Sequence, residues 1–332
     1  MATLLAHIRI FVAALALVMV AAIVAPVGAQ QVNPTASSVK EEQLLQELNR
    51  IQGRISIPDA KESVLIQPAG QSWRQFHEVT LRWIGAIAII GVLALLIVFY
   101  LVRGMIRITS GRSGRTILRF NTLERSVHWL TAVSFVILAL SGLNITFGKP
   151  LLLPLLAPET FTLISQWAKY THNYLSFPFA IGVALIIFLW TKENIPNEVD
   201  VEWLKQGGGM VGSKRPLARR FNAGQKIVYW IVVLLGGAIV ISGYLLMFPF
   251  YGTGIAGMQF AQIVHGVGGV LIIAAMLAHI YIGTIGMEGA FEAMGTGEVD
   301  LNWAKEHHKL WVEEEMRGGS PAGARPRMTP AE

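Results

Sequence analysis

Residues 262–287 read QIVHGVGGVLIIAAMLAHIYIGTIGM, an uninterrupted apolar stretch that carries two histidines. The stretch holds no Asp, Glu, Lys or Arg, and it is longer than the roughly 20 residues with which an α-helix crosses a bilayer. His265 and His279 lie fourteen residues apart. At about 100° and about 1.5 Å per residue, both rings leave the helix on nearly the same side, roughly 21 Å apart along its axis. Because an unpaired imidazole is costly in hydrocarbon, we expect each ring to have a partner.

The composition of the whole chain is that of an integral membrane protein. Of its 332 residues, 53% are hydrophobic and only 14% are charged. The sequence contains no cysteine, which excludes disulfides, thiolate-bound iron–sulfur clusters and Cys-ligated zinc within it. A net charge of +6 could suggest a nucleic-acid partner. The basic residues cluster in the connections between apolar stretches, however, and this pattern is typical of membrane topology instead.

The N-terminal part is predicted to be processed and exported. A short apolar run over residues 10–24, followed by small residues, predicts a secretory signal peptide over residues 1–29, cleaved before Gln30. An uncleaved first anchor is the alternative, although the run is short for a full span. Residues 30–80 then form a polar periplasmic segment, with an amphipathic helix predicted over residues 39–51.

Five apolar stretches predict an all-α integral membrane protein, since each reaches the length of a spanning helix. A large soluble helical protein is the alternative, but soluble helices rarely lack charge over five such lengths. The predicted spans are residues 81–102, 127–147, 170–190, 227–248 and 262–287.

Charges in the connections predict the orientation of these spans. Residues 103–126 contain six arginines opposed only by Glu124, and residues 214–226 contain five basic residues. Residues 249–261 carry no charge. Basic connections face the cytoplasm, so the N-terminal segment is expected outside and the C-terminal tail, residues 288–332, inside.

Four histidines fall at two depths under this orientation. His172 and His265 share the outer depth, while His128 and His279 share the inner depth. Two imidazoles at each depth are what two six-coordinate haems require. Each ring alone could instead hydrogen-bond a neighbouring helix. A zinc site would lack further ligands, and a proton relay usually includes intramembrane Asp or Glu, which these spans lack.

Small residues near the histidines allow either a flat macrocycle or a neighbouring helix to approach closely, and the sequence does not separate the two roles. These residues are Gly266, Gly268, Gly269, Ser141-Gly142 and Ser242-Gly243. The other histidines that we considered, His77, His307 and His308, are interpreted as interfacial or solvated.

Several motifs in order give the chain a family resemblance. They are FNTLERSVHW at residues 120–129, YTH at 170–172, KENIP at 192–196, FNAGQK at 221–226 and WAKEHH at 303–308. With them, the chain resembles the cytochrome b (gamma) subunit of membrane-bound respiratory formate dehydrogenase from about residue 116 to residue 315. Residues 1–115, with the signal and the extra span, lie outside the compact pattern of that family.

The resemblance implies a four-helix transmembrane dihaem cytochrome b domain over residues 127–287, plus one extra N-terminal transmembrane helix over residues 81–102 and a basic cytoplasmic loop over residues 103–126. Two haem b groups would be bound axially through iron, by His172 with His265 and by His128 with His279. A quinone, ubiquinone or menaquinone, would be reduced near the inner pair. Its implied binding residues are Asn222, Gly224 and Gln225, although Asn222 is also a good helix N-cap.

The resemblance also implies the partners and the role. A periplasmic molybdenum or tungsten subunit would oxidise formate, and an iron–sulfur subunit would pass the electrons on. This chain would carry them through the bacterial inner membrane to quinone, as the electron-transfer subunit of a formate:quinone oxidoreductase. The alternatives are the cytochrome b of a hydrogenase or thiosulfate reductase, or a haem-free transporter.

Overall fold

A computed structural model describes residues 70–209, 215–249 and 251–317. The predicted signal peptide and the helix predicted over residues 39–51 lie outside the described residues. Helices dominate the described part, together with one short antiparallel pair of strands. In chain order they are α1 (Ser72–Arg103), α2 (Thr122–Leu151), α3 (Pro158–Trp190), α4 (Glu198–Lys205), α5 (Ala223–Met247), α6 (Ile255–Gly286), α7 (Glu292–Gly295), α8 (Leu301–His307) and α9 (Lys309–Arg317), with β1 (Thr116–Leu118) and β2 (Glu298–Asp300).

Five of these helices, α1, α2, α3, α5 and α6, are long and apolar enough to cross a membrane, which confirms the predicted number of spans. All five begin earlier than predicted: α1 begins at Ser72 rather than at residue 81, α2 at Thr122 rather than at residue 127, and α5 at Ala223 rather than at residue 227. Helix α3 begins at Pro158 rather than at residue 170, and α6 begins at Ile255 rather than at residue 262. Hydropathy marks only the apolar middle of a helix, whereas Pro158, at the first helical position, marks where α3 begins.

The earlier helix starts change the position of two histidines along their helices. The predicted spans, residues 170–190 and 262–287, would place both His172 and His265 in the first turn of their helices, and this expectation is wrong. His172 lies fourteen residues after the start of α3 at Pro158, and His265 lies ten residues after the start of α6 at Ile255. Both rings therefore lie two turns or more inside their helices.

Helix α1 precedes the motifs that gave the family resemblance, and it packs against the helices that carry them. Helix α2 packs along α3, α6 packs along both α1 and α5, and α5 also contacts α3. At Gly85 of α1, an added Cβ would lie 2.8 Å from Phe147 of α2 and 3.1 Å from Val270 of α6. Glycine thus allows α1 to approach both of these helices closely.

Helices α2, α4 and α5 begin with the same capping device. In each, an asparagine side chain accepts a hydrogen bond from the backbone near the third helical residue. The side chain of that third residue accepts in return from the asparagine N–H, which satisfies donors that a helix start leaves unpaired. The three pairs are Asn121 with Glu124, Asn197 with Asp200 and Asn222 with Gln225.

All five spans have one end near the arginine-rich connections, and we call this the basic end. It comprises residues 104–121, 191–209, 215–222 and 287–317. There Ile106 bridges to Met287, and β1 pairs antiparallel with β2. Aromatic and aliphatic side chains form a core that closes over this end of the spans. Its buried aromatic members are Phe120, Trp190, Phe221, Tyr229, Trp303 and Trp311.

The C-terminal segment is therefore folded as far as residue 317, where the sequence suggested only a polar tail. Glu306 accepts hydrogen bonds from the backbone N–H groups of Thr109 and Ser110 at 3.0 and 2.9 Å. Burial alone would raise the pKa of Glu306, but these hydrogen bonds outweigh it and lower the pKa. The polar residues of this segment thus tie it to the connection after α1.

The expectation that His307 and His308 are interfacial or solvated is wrong. His308 is only 1% exposed, and its Nδ1 donates to the carbonyl of Arg219 at 2.8 Å. Both rings contact Trp303. Burial, reinforced by the charge of Arg215, lowers the pKa of His307 to about 4, and burial lowers the pKa of His308 well below its usual value. Both imidazoles are therefore neutral near pH 7.

Ion pairs also hold the basic end together, and the Lys226–Asp200 pair is the most buried of them. Arg220 donates to Glu124 at 2.7 Å and to Glu193 at 2.8 Å, which joins the start of α2 to the turn after α3. Lys226 donates to Asp200 at 2.7 Å and is only 4% exposed. Removing one partner of such a buried pair leaves an uncompensated charge in a poorly solvated place.

Replacing Lys226 with methionine should destabilise the protein strongly. The change keeps the length of the side chain but leaves Asp200 without its cation, at a cost of about 3–5 kcal/mol. Thermal unfolding in detergent measures this effect. Lys205→Met is the matched control, because Lys205 is exposed on α4, the helix that carries Asp200. Equal unfolding temperatures in the two variants would contradict the importance of the pair.

Stability should also fall on acidification because of His308. Its pKa is depressed in the folded state, so below about pH 6.5 the unfolded chain binds a proton that the folded chain does not. This contribution to stability is therefore fully present above about pH 6.5 and is lost as the pH falls below it. His308→Asn offers an amide donor to Arg219 but cannot titrate. Unfolding temperatures between pH 7 and pH 5 should fall less steeply in this variant, and parallel curves would contradict the assignment.

Candidate cofactor-binding site

The four intramembrane histidines meet as two pairs. The ring centroids of His172 and His265 lie 6.0 Å apart, and those of His128 and His279 lie 6.2 Å apart. These are the pairs expected from the predicted depths. One pair joins α3 to α6, and the other joins α2 to α6. Because both pairs share α6, that helix sets the separation of the two positions along the bundle.

A main-chain carbonyl fixes the ring of His172. Its Nδ1 lies 3.1 Å from the carbonyl oxygen of Leu138 and 2.9 Å from the hydroxyl oxygen of Ser141. A carbonyl oxygen can only accept, so Nδ1 carries the proton and donates it. The other ring nitrogen, Nε2, is then unprotonated and keeps its lone pair for a ligand.

His265 is held in the same way by α5. Its Nδ1 donates to the carbonyl of Ile239 at 3.0 Å and lies 3.3 Å from the hydroxyl of Ser242. The acceptor carbonyl again comes from the residue three positions before the serine, as Leu138 does before Ser141. The two rings of this pair are thus set by equivalent segments of α2 and α5.

The glycine that follows each serine makes room for the ring. An added Cβ at Gly142 would lie 3.2 Å from Cε1 of His172, and one at Gly243 would lie 3.0 Å from Cε1 of His265. Two other small residues serve helix packing instead. An added Cβ would meet Leu81 at Gly266 and Ile239 at Gly268. The sequence left open whether these glycines make room for a flat group or for a neighbouring helix. Gly142 and Gly243 make room for histidine rings, whereas Gly266 and Gly268 allow helices to pack closely.

The second pair lacks such support. Nδ1 of His128 is buried and has no hydrogen-bond partner among the described residues. Its ring lies edge-on to Trp129, whose Nε1 donates to the carbonyl of Met294 at 2.8 Å. A buried nitrogen that the polypeptide does not satisfy calls for a water or a ligand.

The arrangement suits a metal that takes two protein ligands. A metal–imidazole bond is about 2 Å long, so two of them span about 4 Å of the roughly 6 Å between ring centroids. The remainder, about 1 Å on each side, matches the distance from the centre of an imidazole to its edge nitrogen. Within the residues described, no group of three or more His, Cys, Asp or Glu could hold a metal ion. Each pair therefore fits haem iron, for which a porphyrin supplies the other four ligands.

The residues proposed for quinone binding, Asn222, Gly224 and Gln225, lie at the start of α5. The carbonyl oxygens of the Asn222 and Gln225 side chains close the capping box, at 2.9 and 3.1 Å. Gln225 Oε1 also lies 3.4 Å from a guanidinium nitrogen of Arg119. An added Cβ at Gly224 would lie 3.1 Å from Trp203. None of the contacts described for these residues involves His279. Because the side-chain oxygens of Asn222 and Gln225 are used in the capping box, their amide NH₂ groups are the donors left for a ligand.

Arg119 is a buried cation that the sequence interpretation missed. It is 2% exposed, and its guanidinium lies 5.3 to 5.4 Å from the centroids of the Phe120, Trp303 and Trp311 rings. Burial, together with the nearby charge of Arg220, lowers the pKa of Arg119 to about 9. Its position in an arginine-rich connection suggested a solvated side chain, and no local signal distinguishes it from its exposed neighbours.

Comparison with curated proteins finds similar cytochromes in formate dehydrogenases. The chain is 25% identical over 206 residues to the cytochrome b556(Fdn) subunit of the nitrate-inducible formate dehydrogenase of Escherichia coli K12, covering 60% of this chain and 92% of that protein. It is 28% identical over 203 residues to the cytochrome b556(fdo) subunit of formate dehydrogenase from the same organism, covering 60% and 93%. It is 24% identical over 209 residues to the formate dehydrogenase cytochrome b556 subunit of Haemophilus influenzae Rd, covering 60% and 84%.

A family model described as prokaryotic cytochrome b561 matches residues 119–297, which is more than half of the chain. The match begins just before α2 and ends just after α7, so it includes all four paired histidines. It leaves α1 outside. Together with the histidine pairs and the five spans, the match establishes that the chain belongs to the prokaryotic cytochrome b561 family.

Proposed function

We propose that this chain is the membrane cytochrome b subunit of a formate dehydrogenase, and that it carries electrons from a partner subunit to membrane quinone. The observation that supports this most directly is the meeting of four intramembrane histidines as two pairs. The match to this chain covers 92% and 93% of two curated relatives, and both are cytochrome subunits of formate dehydrogenases.

In this proposal each pair binds one haem b through Nε2 of both rings. His172 with His265 forms one site, and His128 with His279 forms the other. Haem b bound at these positions supplies reversible one-electron chemistry at iron. The chain orients the ligands, since Leu138 and Ile239 hold two of the rings through Nδ1. Its apolar helices exclude water from the space between the two levels.

The orientation follows from charge. The basic end gathers arginines from three connections, and such ends face the cytoplasm in bacterial inner membranes. His172 and His265 are then the periplasmic pair, and His128 and His279 are the cytoplasmic pair. Residues 30–80 would lie on the periplasmic side, where they could contact the partner subunits.

The chemistry of formate is assigned to other subunits. This sequence has no cysteine, so it offers no thiolate for an iron–sulfur cluster. A periplasmic molybdenum or tungsten subunit would oxidise formate, and an iron–sulfur subunit would deliver electrons to the periplasmic pair. Electrons moving inward work against the membrane potential, at about 2.3 kcal/mol per 100 mV for each charge.

Quinone would be reduced at the basic end, near Asn222, Gly224 and Gln225. The amide NH₂ groups of Asn222 and Gln225 can donate to a quinone oxygen while the carbonyl oxygens keep the helix cap. Gly224 allows the ring of Trp203 to pack beside these two side chains. Protons for the quinol would come from the cytoplasm, which this end would face.

Replacing His279 with alanine should remove one of two haems and abolish quinone reduction. The change deletes one ligand of the cytoplasmic pair and leaves His172 and His265 intact. The complex is purified through a tag on this chain, and the ratio of haem b to chain is measured with the reduced-minus-oxidised spectrum. His77→Ala is the control, because His77 lies in α1, stacks on Trp73 and belongs to neither pair.

Two haems per chain in His279→Ala would contradict the ligand assignment. The same preparation tests the assembly, since a formate-oxidising subunit should copurify with the tagged chain. Copurification of a nickel–iron hydrogenase subunit would contradict the formate dehydrogenase assignment while leaving the cytochrome intact.

The quinone site can be separated from the helix cap with Asn222→Ser. Serine caps a helix about as well as asparagine but lacks the NH₂ donor. Because one hydrogen bond is worth about 0.5–1.5 kcal/mol, quinone reduction should slow by roughly two- to tenfold while the haem content stays unchanged. Asn197→Ser, at the equivalent cap of α4, is the matched control. Equal quinone kinetics in both variants would contradict the assignment of Asn222.

A further inference from the structure

Helix α1 lies outside the residues that match the family, yet it packs onto the turn that carries His265. Leu81 is 2% exposed, and an added Cβ at Gly266 would lie 2.7 Å from its Cδ2 atom. Gly85, one turn further along α1, faces Phe147 of α2 and Val270 of α6. Helix α1 therefore fills the groove between α2 and α6 at the level of the His172–His265 pair.

Arg82 follows Leu81 directly and reaches across this groove. Its Nε donates to the carbonyl of Thr146 on α2 at 3.3 Å. Thr146 lies four residues after Gly142, the glycine that faces the ring of His172. Four residues are about 6 Å along a helix. The guanidinium therefore lies about one helical turn from the paired rings, on the side away from the basic end.

This cation lies at the outer end of the predicted span, residues 81–102, and it has no carboxylate beside it among the described residues. Arg82 is ten residues after the start of α1 at Ser72 and is partly buried. Among the residues that the structure describes, no carboxylate oxygen lies within 4.0 Å of Arg82, whereas Arg74 on the same helix pairs with Glu78. An arginine at such a position is costly unless it is paired or faces a polar group.

Other buried polar atoms near this end of the bundle also lack partners within the described ranges. Asn144 Oδ1, two residues before Thr146, is one of them. Gln262 Oε1, three residues before His265, and Trp73 Nε1 on α1 are two more. Buried polar groups are almost always satisfied by protein, water or a ligand. Nε1 of Trp73 is a donor that an anion can satisfy, whereas Oδ1 of Asn144 and Oε1 of Gln262 are acceptors and call for water or another donor.

We propose, on the basis of the proposed function, that Arg82 binds a propionate carboxylate of the haem held by His172 and His265. Haem b carries two such carboxylates on one edge, and a guanidinium binds a carboxylate through parallel N–H donors. Helix α1 is then part of the haem pocket rather than only an added anchor. A lipid phosphate would offer Arg82 the same anionic chemistry, and the experiment below separates the two ligands.

The experiment compares Arg82→Gln, Arg82→Lys and Arg74→Gln in the purified complex. Haem content and both midpoint potentials are measured by redox titration of the b-type absorption. Loss of a cation beside one haem disfavours its reduced form, so Arg82→Gln should lower one of the two potentials and leave the other unchanged. The haem that responds should be the one that is missing in His172→Ala. Arg82→Lys should restore most of the potential, and Arg74→Gln should match the unaltered chain.

The outcomes separate this inference from the proposed function. Two haems whose potentials are the same in Arg82→Gln and Arg74→Gln would overturn the propionate assignment and favour a lipid phosphate. An equal shift of both potentials would also overturn it, because that pattern reflects a general loosening of the bundle. A chain that binds no haem would overturn the proposed function itself.

Discussion

The hydrogen bond from a histidine Nδ1 to a main-chain carbonyl is the constraint on which the candidate site depends. In a helix, carbonyls are normally occupied by the N–H four residues later, so a second donor must approach from the side. Leu138 and Ile239 accept such a donor because Gly142 and Gly243 leave space for the ring. The bond fixes the tautomer and the direction of Nε2 together.

The basic end shows how a membrane protein can close one end of its helices without a large soluble domain. Arginines whose charge predicts the topology also act as structural elements there. Arg220 joins Glu124 to Glu193, and Arg119 lies among aromatic rings. Arg220 has carboxylate partners and Arg119 has ring faces and a carbonyl, which makes their burial tolerable, although Nε and Nη1 of Arg119 have no hydrogen-bond partner among the described residues. The result is a compact cap built from connections that look like loops in the sequence.

Much of this arrangement could be predicted from sequence, because hydrophobicity and helical periodicity are local properties. The five spans and the pairing of His172 with His265 and His128 with His279 follow from length, spacing and charge alone. The burial of His308 could not be predicted, since it depends on the carbonyl of Arg219, which lies 89 residues earlier in the sequence. The same holds for Leu81 against Gly266, because nothing in either stretch indicates that α1 lies beside α6.

The two histidine pairs differ in the hydrogen bonds made by Nδ1. A ring that donates its Nδ1 proton to a carbonyl becomes a stronger electron donor at Nε2, and it favours the oxidised state of a bound metal. His172 and His265 have this bond, whereas Nδ1 of His128 has no partner in the described part of the chain. Identical amino acids thus provide ligands of different basicity. If each pair binds a metal, as proposed above, this difference in hydrogen bonding favours the reduced state at the His128–His279 pair relative to the His172–His265 pair.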